Sequence, residues 1–335
     1  MRLWDWRIDA SGIDMQIFDE RLSIDIIRDF RRAGYSYFKL PKDLVQEAES
    51  LAALLYDLDI RQRVRALATA ESGVLGYYPS EIEAYEIAQN SGADISTWTG
   101  SKSRGYSSYD FIEEPSAVLG VLSVLRTNIW IPGLPVFRER ALALYQEFKR
   151  LAIRLSRSLN STMLSVAPGS LSAVDDLQGD CLSIMRILNY RTDELREVSK
   201  EHTDYEFLTL SISTDEGLEV KSPAGDWQLV PAKEHHAVLL PGDMFEATSR
   251  GYVKSSLHRA RCAGQPRRAV IFFQGLPLDF VFDYAILGDK TPRSFGDHII
   301  SMLIRGSAHL AQHVDQLAKE LEINIPVSNP FRIGK

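Results

Sequence analysis

The sequence contains little cysteine. Its 335 residues include only Cys181 and Cys262, which are too few for the disulfide framework of a small secreted domain. Neither cysteine has partners at the spacings of a structural zinc site. We interpret both as free thiols in a reducing compartment, with a single bridge between them as the alternative.

The sequence also lacks long apolar runs and an excess of positive charge. No apolar stretch approaches the roughly 20 residues of a membrane-spanning helix. The first residues, MRLWDWRIDASG, lack the apolar centre of a signal peptide. The net charge of −7 and the pI near 5.6 argue against a general nucleic-acid-binding protein. We therefore predict a cytoplasmic protein whose partner is a small molecule, not nucleic acid or membrane; monomer and homodimer both stay open.

The first half of the chain has the periodicity of helices. Apolar residues recur at helical spacing over 22–33 and over 137–159, and Gly34 is a suitable stop for the first of these helices. A further helix is predicted to open at Pro41 and to end near Leu58.

The remaining segments have the sequence patterns of loops and short strands. Residues 72–115 are rich in Gly, Ser and Tyr with little periodicity, which predicts a long loop region. After about residue 165, strand-like segments alternate with turn signals, and a closing helix is predicted from Asp297 to Leu321. This order predicts an α+β fold with a mainly β core, a sandwich or jelly roll, flanked by helices.

The stretch EHTDYEFLTL, residues 201–210, opens an apolar, strand-like run with His-x-Asp. Alternation along a strand would place His202 and Asp204 on one face. Such a pair could ligate a metal, work as an acid–base pair or form a hydrogen bond at a strand end. The pair alone leaves all three interpretations open.

A mononuclear non-haem iron site needs two imidazoles and one carboxylate on one side of the metal. His202 and Asp204 would supply two ligands, and His258, in the strand-like segment SLHRARC, is the natural third. The competing histidines are His235, His236, His298, His309 and His313. His235 and His236 are adjacent, so their rings would point to opposite faces of a strand and at most one could join the site. His309 and His313 form an i, i+4 pair on a helix, and such a pair more often lies on a solvated face than binds a metal.

Several segments, in a shared order, carry a family resemblance. They are RDFRRAGYSYFKLP, NIWIPGLPVFRER, MRILNY, HTDYEFLTL, GLEVKSPAGDWQLVP and LLPGDMFEATSRGYVKSSLHRA. With these motifs the chain resembles the 2-oxoglutarate- and iron(II)-dependent dioxygenases of the isopenicillin N synthase-like group. The resemblance implies a double-stranded β-helix core at 166–285. It also implies a mainly helical region with substrate-side loops at 1–165, and a C-terminal helix and tail at 286–335, all within one enzyme unit.

The resemblance also gives roles to single residues. His202, Asp204 and His258 correspond to the iron triad. Arg267 corresponds to the arginine that pairs with the distal carboxylate of 2-oxoglutarate, and Arg268 is the second choice. A planar guanidinium suits that role because it can donate two parallel hydrogen bonds to one carboxylate. The implied cofactors are Fe(II), 2-oxoglutarate as co-substrate, and O2.

The sequence departs from the family pattern beside Arg267. Where the family has Arg-x-Ser, this chain has Arg267-Arg268-Ala269, so one hydroxyl donor to 2-oxoglutarate is missing. The loss of a hydrogen bond to a charged group costs about 1.5–3 kcal/mol unless another donor replaces it. The residues predicted to contact the co-substrate from the preceding strand are Arg186, Asn189 and Tyr190.

Further residues fall where such enzymes place their substrate-side loops. The candidates for substrate contact are Tyr78, Tyr106, Tyr109, Phe111 and Arg191. Packing explains aromatic residues in loops equally well, so these residues are predicted from position alone.

The resemblance implies oxidation of a small metabolite, in specialised metabolism, by hydroxylation, desaturation, epoxidation or oxidative ring closure. Asp204 disfavours halogenation, because a halogenase would carry Gly or Ala there. One alternative is an iron- and O2-dependent oxidase that needs no 2-oxoglutarate and binds a substrate carboxylate with Arg267. The Ala269 departure keeps that alternative open. A metal-binding or sensing relative without catalysis is the other alternative.

Overall fold

The structure is a computed structural model that describes most of the chain after residue 19. The described residues are 20–68, 73–91, 105–114, 127–178, 180–190, 196–262, 266–306, 310, 313–326 and 328–332. In these ranges no helix combines the length and the apolar character that a membrane crossing needs. Arg191 and His309, both singled out above, lie outside the described residues.

The N-terminal helices form where the apolar periodicity predicts them. Helix α1 (Glu20–Ala33) and helix α2 (Lys42–Tyr56) flank strand β1 (Ser36–Lys39). After α1 comes Gly34, whose φ of 83° suits a residue without a Cβ and whose N donates to Phe30 O at 2.9 Å. Both predicted helices are confirmed, although α2 ends at Tyr56, before the expected end.

The region predicted as a long loop contains regular structure. From α2 onward the elements are α3 (Ile60–Arg63), β2 (Gly76–Tyr78), α4 (Glu81–Ser91) and β3 (Tyr106–Phe111). The loop prediction over 72–115 is therefore wrong for these residues. Tyr77, Tyr109 and Phe111 are fully buried, and burial against neighbouring strands outweighs a weak local pattern.

Helix α5 (Pro135–Val166), with 32 residues, packs along the main sheet, and its buried side chains belong to the hydrophobic core. It extends the predicted helix over 137–159 at both ends. Its apolar side packs on the main sheet, where Tyr145 and Phe148 meet Phe272 with ring centroids 5.2 and 5.9 Å apart.

The second half of the chain folds into short strands, as predicted. They are β4 (Ser183–Tyr190), β5 (Arg196–His202), β6 (Leu208–Ser213), β7 (Leu218–Lys221), β8 (Trp227–Leu229), β9 (His236–Pro241), β10 (His258–Cys262), β11 (Arg267–Gln274), β12 (Val281–Tyr284) and β13 (Asp289–Ser294). The main sheet has the order β1-β9-β6-β11-β4-β3-β2 and the minor sheet β5-β10-β7-β8, while β12 pairs with β13. The neighbouring strands run antiparallel. The predicted mainly β, helix-flanked jelly roll is confirmed.

The C-terminal helices differ from the prediction. Helix α6 (Asp243–Thr248) follows β9, and helices α7 (Phe295–Gly306) and α8 (Val314–Glu320) lie near the C-terminus. A single closing helix over 297–321 is therefore wrong. α7 ends at a glycine, which lowers helix propensity by about 1 kcal/mol relative to alanine.

Candidate metal centre and ligand cavity

The inner faces of the two sheets line a cavity that is open to solvent on one side. Alternate residues of the main-sheet strands point into it, as the period of two along a strand requires. The lining includes Tyr190 of β4, Ser211 and Ser213 of β6, Arg267 and Ala269 of β11, and His258 of β10.

The three predicted metal ligands meet in this cavity. His202 ends β5 and His258 opens β10, and the strand register pairs these two residues with their ring centroids 4.3 Å apart. Asp204 Oδ1 lies 3.8 Å from His202 Nε2 and 3.7 Å from His258 Nε2. One potential ligand atom from each residue lies within 4.8 Å of the others. In the described part of the chain, no other group of three His, Cys, Asp or Glu residues converges in this way.

Backbone carbonyls orient both imidazole rings. His202 Nδ1 lies 2.8 Å from Lys200 O, and His258 Nδ1 lies 3.0 Å from Ser256 O. A carbonyl only accepts, so each Nδ1 carries the proton and each Nε2 keeps a lone pair directed at the centre of the cluster. This is the tautomer that a metal-binding histidine needs.

Asp204 lies in the connection between β5 and β6. The alternation in the sequence predicts it on the same strand as His202, but β5 ends at His202, so this placement is wrong. Hydrogen bonds hold the residue instead: Thr209 Oγ1 donates to Asp204 Oδ2 at 2.6 Å, and Asp243 N donates to Asp204 O at 2.8 Å. Asp204 Oδ1 is left facing the two imidazoles.

The electrostatics of the cluster suit a cation. Burial, together with the neighbouring His258, lowers the pKa of His202 to about 4, so that its ring is neutral at pH 7. The carboxylate of Asp204 is buried beside it. Two neutral imidazoles and one carboxylate form the facial donor set of mononuclear non-haem iron, and the three side chains present here fit that metal.

Arg267 is a buried cation at the start of β11. Its side chain lines the cavity with the guanidinium carbon 4.1 Å from the centre of the Tyr190 ring, and the residue is 5% exposed. Its Nε has no hydrogen-bond acceptor, and it forms no ion pair with a carboxylate, among the residues that the structure describes. A buried cation without an anionic partner is costly, so the geometry suits an anionic ligand.

The neighbouring arginines have partners of their own. Arg268, the second choice for the co-substrate, points away to the surface, where its Nη2 lies 2.7 Å from Asp57 Oδ1. Arg186 lines the cavity, but it donates two hydrogen bonds to Asp110, from Nε at 2.8 Å and from Nη2 at 2.7 Å. Arg267 is therefore the arginine in this cavity that is available to a carboxylate.

The residues of β4 that are predicted to contact the co-substrate lie on opposite faces of the strand. Arg186 and Tyr190 line the cavity, whereas Asn189 is three residues from Arg186 and faces the other way. Asn189 is buried and is absent from the cavity lining that the structure describes. Leu188 occupies the cavity face between the other two residues.

The predicted substrate contacts on β3 also lie on different faces. Tyr106 lines the cavity, with its ring centroid 5.5 Å from that of Tyr190. Tyr109 packs against Phe137 of α5 at 5.3 Å, and Phe111 against Trp130 at 5.5 Å, on the helix side of the sheet.

Tyr78 on β2 is held by local structure. Its side chain is buried, and its hydroxyl donates to Val74 O at 2.8 Å.

Several cavity residues have no counterpart among the predicted site residues. They are Thr209, Ser211 and Ser213 of β6, with Lys233 and His236 beside them. The alternation of polar and apolar residues in LTLSIS indicates that the three hydroxyls share one face, but it does not show that this face lines the cavity.

The sequence is similar to those of known oxygenases. Residues 181–276 match the family model described as 2OG-Fe(II) oxygenase superfamily. Clavatol oxidase claD of Penicillium crustosum is 24% identical over 274 residues, which are 76% of this chain and 81% of that protein. A 2-oxoglutarate-dependent dioxygenase of Didymella fabae is 27% identical over 300 residues, 84% of this chain and 80% of that protein.

The fold is also similar to those of solved structures. A full-length Neurospora crassa protein, solved in complex with alpha-KG and thymine, superposes with a TM-score of 0.68 at 20% identity, over 85% of this chain and 91% of that one. The dioxygenase for auxin oxidation of rice superposes with a TM-score of 0.63 at 18% identity, over 90% and 97% of the two chains. At such identities these two comparisons bear on the fold alone.

Proposed function

We propose that the chain is an iron(II)- and 2-oxoglutarate-dependent oxygenase of a small organic molecule, since residues 181–276 match the model of the 2OG-Fe(II) oxygenase superfamily. The observation that supports the proposal is that His202, Asp204 and His258 converge in the cavity that also contains the guanidinium of Arg267, for which the described residues supply no carboxylate. A facial donor set and an anion-binding group in one cavity are the two sites that this chemistry needs.

The three ligands would hold the iron from one side. His202 and His258 would bind through Nε2, and the negative charge of Asp204 would offset part of the charge of the dication. Iron(II) with its co-substrate and O2 supplies the oxidising chemistry, and the protein supplies binding, orientation and electrostatics. The carboxylate of Asp204 also argues against halogenation, which would need its position free for a halide.

Arg267 would anchor the distal carboxylate of 2-oxoglutarate. Its guanidinium is buried, lies over the Tyr190 ring and has no protein anion among the described residues. Pairing with a carboxylate would satisfy a charge that burial otherwise penalises. Tyr190, stacked beneath the guanidinium, would keep it oriented toward the cavity.

The substrate would be a small metabolite. The cavity is lined by apolar and aromatic side chains with polar groups among them, which is the usual character of small-molecule sites. Tyr106, Lys233 and His236 line it and are the proposed substrate contacts. Similar proteins carry names such as clavatol oxidase, and JOX2 was solved with 2OG, Fe and JA. We propose a role in specialised metabolism on the strength of such relatives, with hydroxylation, desaturation, epoxidation or ring closure as the reaction.

An anaerobic titration of the metal-free protein with iron(II) and then 2-oxoglutarate tests the proposal. We expect a weak visible charge-transfer band in the wild type and none in His202→Ala. Arg267→Ala should bind 2-oxoglutarate roughly 30-fold more weakly or worse, because truncating one partner of a buried charge pair costs about 2–5 kcal/mol. Arg268→Ala is the matched control and should keep the band, because Arg268 pairs with Asp57 at the surface.

Other outcomes would contradict the proposal in different ways. Iron binding without the band would favour the oxidase that needs no 2-oxoglutarate, with Arg267 binding the substrate's own carboxylate. A protein that binds no iron would overturn the metal centre itself.

A further inference from the structure

The cavity has no side-chain hydroxyl on β11 at the position where the family has a serine. Ala269 lines the cavity two residues after Arg267. The register of β11 and β6 pairs Ala269 with Ser213, and Ile271, the next residue on that face, with Ser211. Directly paired residues have Cβ atoms about 4.5–5.5 Å apart and diagonal neighbours about 7–8 Å apart, so the Ser213 hydroxyl lies beside the gap and the Ser211 hydroxyl lies diagonally across from it.

The two serines differ in the hydrogen bonds that their hydroxyls already form. Ser213 Oγ donates to Asp215 O at 2.8 Å and lies 3.4 Å from Arg268 O. Ser211 lines the same cavity and is half-buried, but its hydroxyl forms no hydrogen bond with any residue that the structure describes. The Ser211 proton is therefore free for a ligand, whereas the Ser213 proton is committed to the backbone.

The strand neighbours of Ser211 on that face of the sheet are apolar. They are Ile271 on β11 and Val238 on β9, both of which line the cavity. A half-buried hydroxyl between two apolar side chains can take its hydrogen-bond partner from the cavity. Thr209, two residues away toward the metal ligands, donates to Asp204 and so is already occupied.

We propose that Ser211 replaces the missing serine of position 269 and donates a hydrogen bond to the carboxylate of 2-oxoglutarate that Arg267 binds. This assignment rests on the proposed function, since it needs 2-oxoglutarate in the cavity. It makes β6 a second strand that recognises the co-substrate, with Ser211 as a binding residue. It also accounts for how the chain could tolerate alanine beside Arg267.

Anaerobic titrations of the iron(II)-loaded protein with 2-oxoglutarate test this assignment through the charge-transfer band, without turnover. We expect Ser211→Ala to weaken binding by about tenfold to a hundredfold, because it removes a hydrogen bond to a charged group. Ser213→Ala is the matched control and should stay within about twofold of the wild type. The double variant Ser211→Ala/Ala269→Ser should recover most of the affinity, because it restores a hydroxyl on the adjacent strand.

A second titration shows which end of the ligand Ser211 contacts. 2-Oxopentanoate keeps the iron-chelating 2-oxo acid but lacks the distal carboxylate. We expect Ser211→Ala to bind it as the wild type does, within about twofold. Far-ultraviolet circular dichroism and thermal midpoints of each variant confirm that it is folded.

The outcomes separate this assignment from the proposed function. A wild type without the band would overturn both. A wild type with the band would overturn only the role of Ser211 in any of three cases: Ser211→Ala binds 2-oxoglutarate normally, Ser213→Ala is the variant that loses affinity, or Ser211→Ala weakens both 2-oxo acids equally.

Discussion

At the scale of single residues, the orientation of the metal ligands depends on partners outside the triad. Thr209 Oγ1 donates to Asp204 Oδ2 at 2.6 Å, and Thr209 is buried. Thr209→Val keeps the shape of the side chain but removes the donor that holds the carboxylate. We expect the affinity for iron(II), measured by anaerobic titration, to fall by about tenfold to a hundredfold, as when other partners of metal ligands are removed.

The conservative variant Thr209→Ser serves as the control for this prediction. It keeps the hydroxyl and should bind iron(II) nearly as the wild type does. Equal iron affinity in Thr209→Val and the wild type would contradict a positioning role for Thr209. It would also show that the loop alone fixes Asp204.

Single residues also show what sequence reasoning can and cannot reach. The triad and Arg267 can be named in advance because their chemistry and spacing form recognisable motifs. The sequence predicts Asn189 in the same site as Arg186, yet residues three apart on a strand face opposite ways. The uncommitted hydroxyl of Ser211 could not be predicted, because it depends on the register between β6 and two other strands.

At the scale of elements, the C-terminal segment is tied to the connection that carries Asp204. Asn329 Nδ2 lies 3.0 Å from Thr203 Oγ1 and 2.7 Å from Asp243 Oδ2, and all three residues are buried. Asp243, the first residue of α6, in turn donates from its backbone N to Asp204 O. One asparagine therefore links the chain end to the metal-binding loop.

Asn329→Ala should destabilise both the fold and the metal loop. It leaves the Asp243 carboxylate and the Thr203 hydroxyl short of a buried partner, which costs about 1–3 kcal/mol of unfolding free energy. Denaturant unfolding measures that loss, and iron(II) titration should show weaker binding. Asn324→Ala, at an exposed asparagine of the same segment, should change the unfolding free energy by less than about 0.5 kcal/mol. Equal stability of the two variants would contradict the link.

Helices and strands can be predicted from the sequence where their buried residues recur with the period of that element. β4, β6, β9 and β11 lie in the main sheet, and their apolar runs are visible in the sequence. β5, with the sequence REVSKEH, is not visible, because it is largely polar and becomes a strand through its pairing with β10. β3 resembles a loop in the sequence for a related reason: it contains Ser and Asp residues, and it becomes a strand through its pairing with β4.

At the scale of the whole molecule, the main sheet separates chemistry from support. On β11, Arg267 and Ala269 face the cavity, whereas Phe272 faces α5 and packs against Tyr145 and Phe148. The cavity side carries uncommitted polar groups, while the helix side is close-packed and apolar. The polar groups in the cavity lower the stability of the fold. Packing of the apolar core on the helix side, which takes no part in the chemistry, offsets that loss.

This separation predicts that the stability of the fold and the binding of the metal respond to different residues. Phe148 is fully buried on the helix side, and Phe148→Ala should lower the unfolding free energy by about 3–5 kcal/mol, measured by denaturant unfolding. Phe148→Leu retains most of the apolar volume and should cost clearly less. The iron(II) affinity of both folded variants should stay within about twofold of the wild type, because independent distant sites are nearly additive. A parallel fall in iron affinity would show instead that packing on α5 is transmitted through β11 to the metal centre.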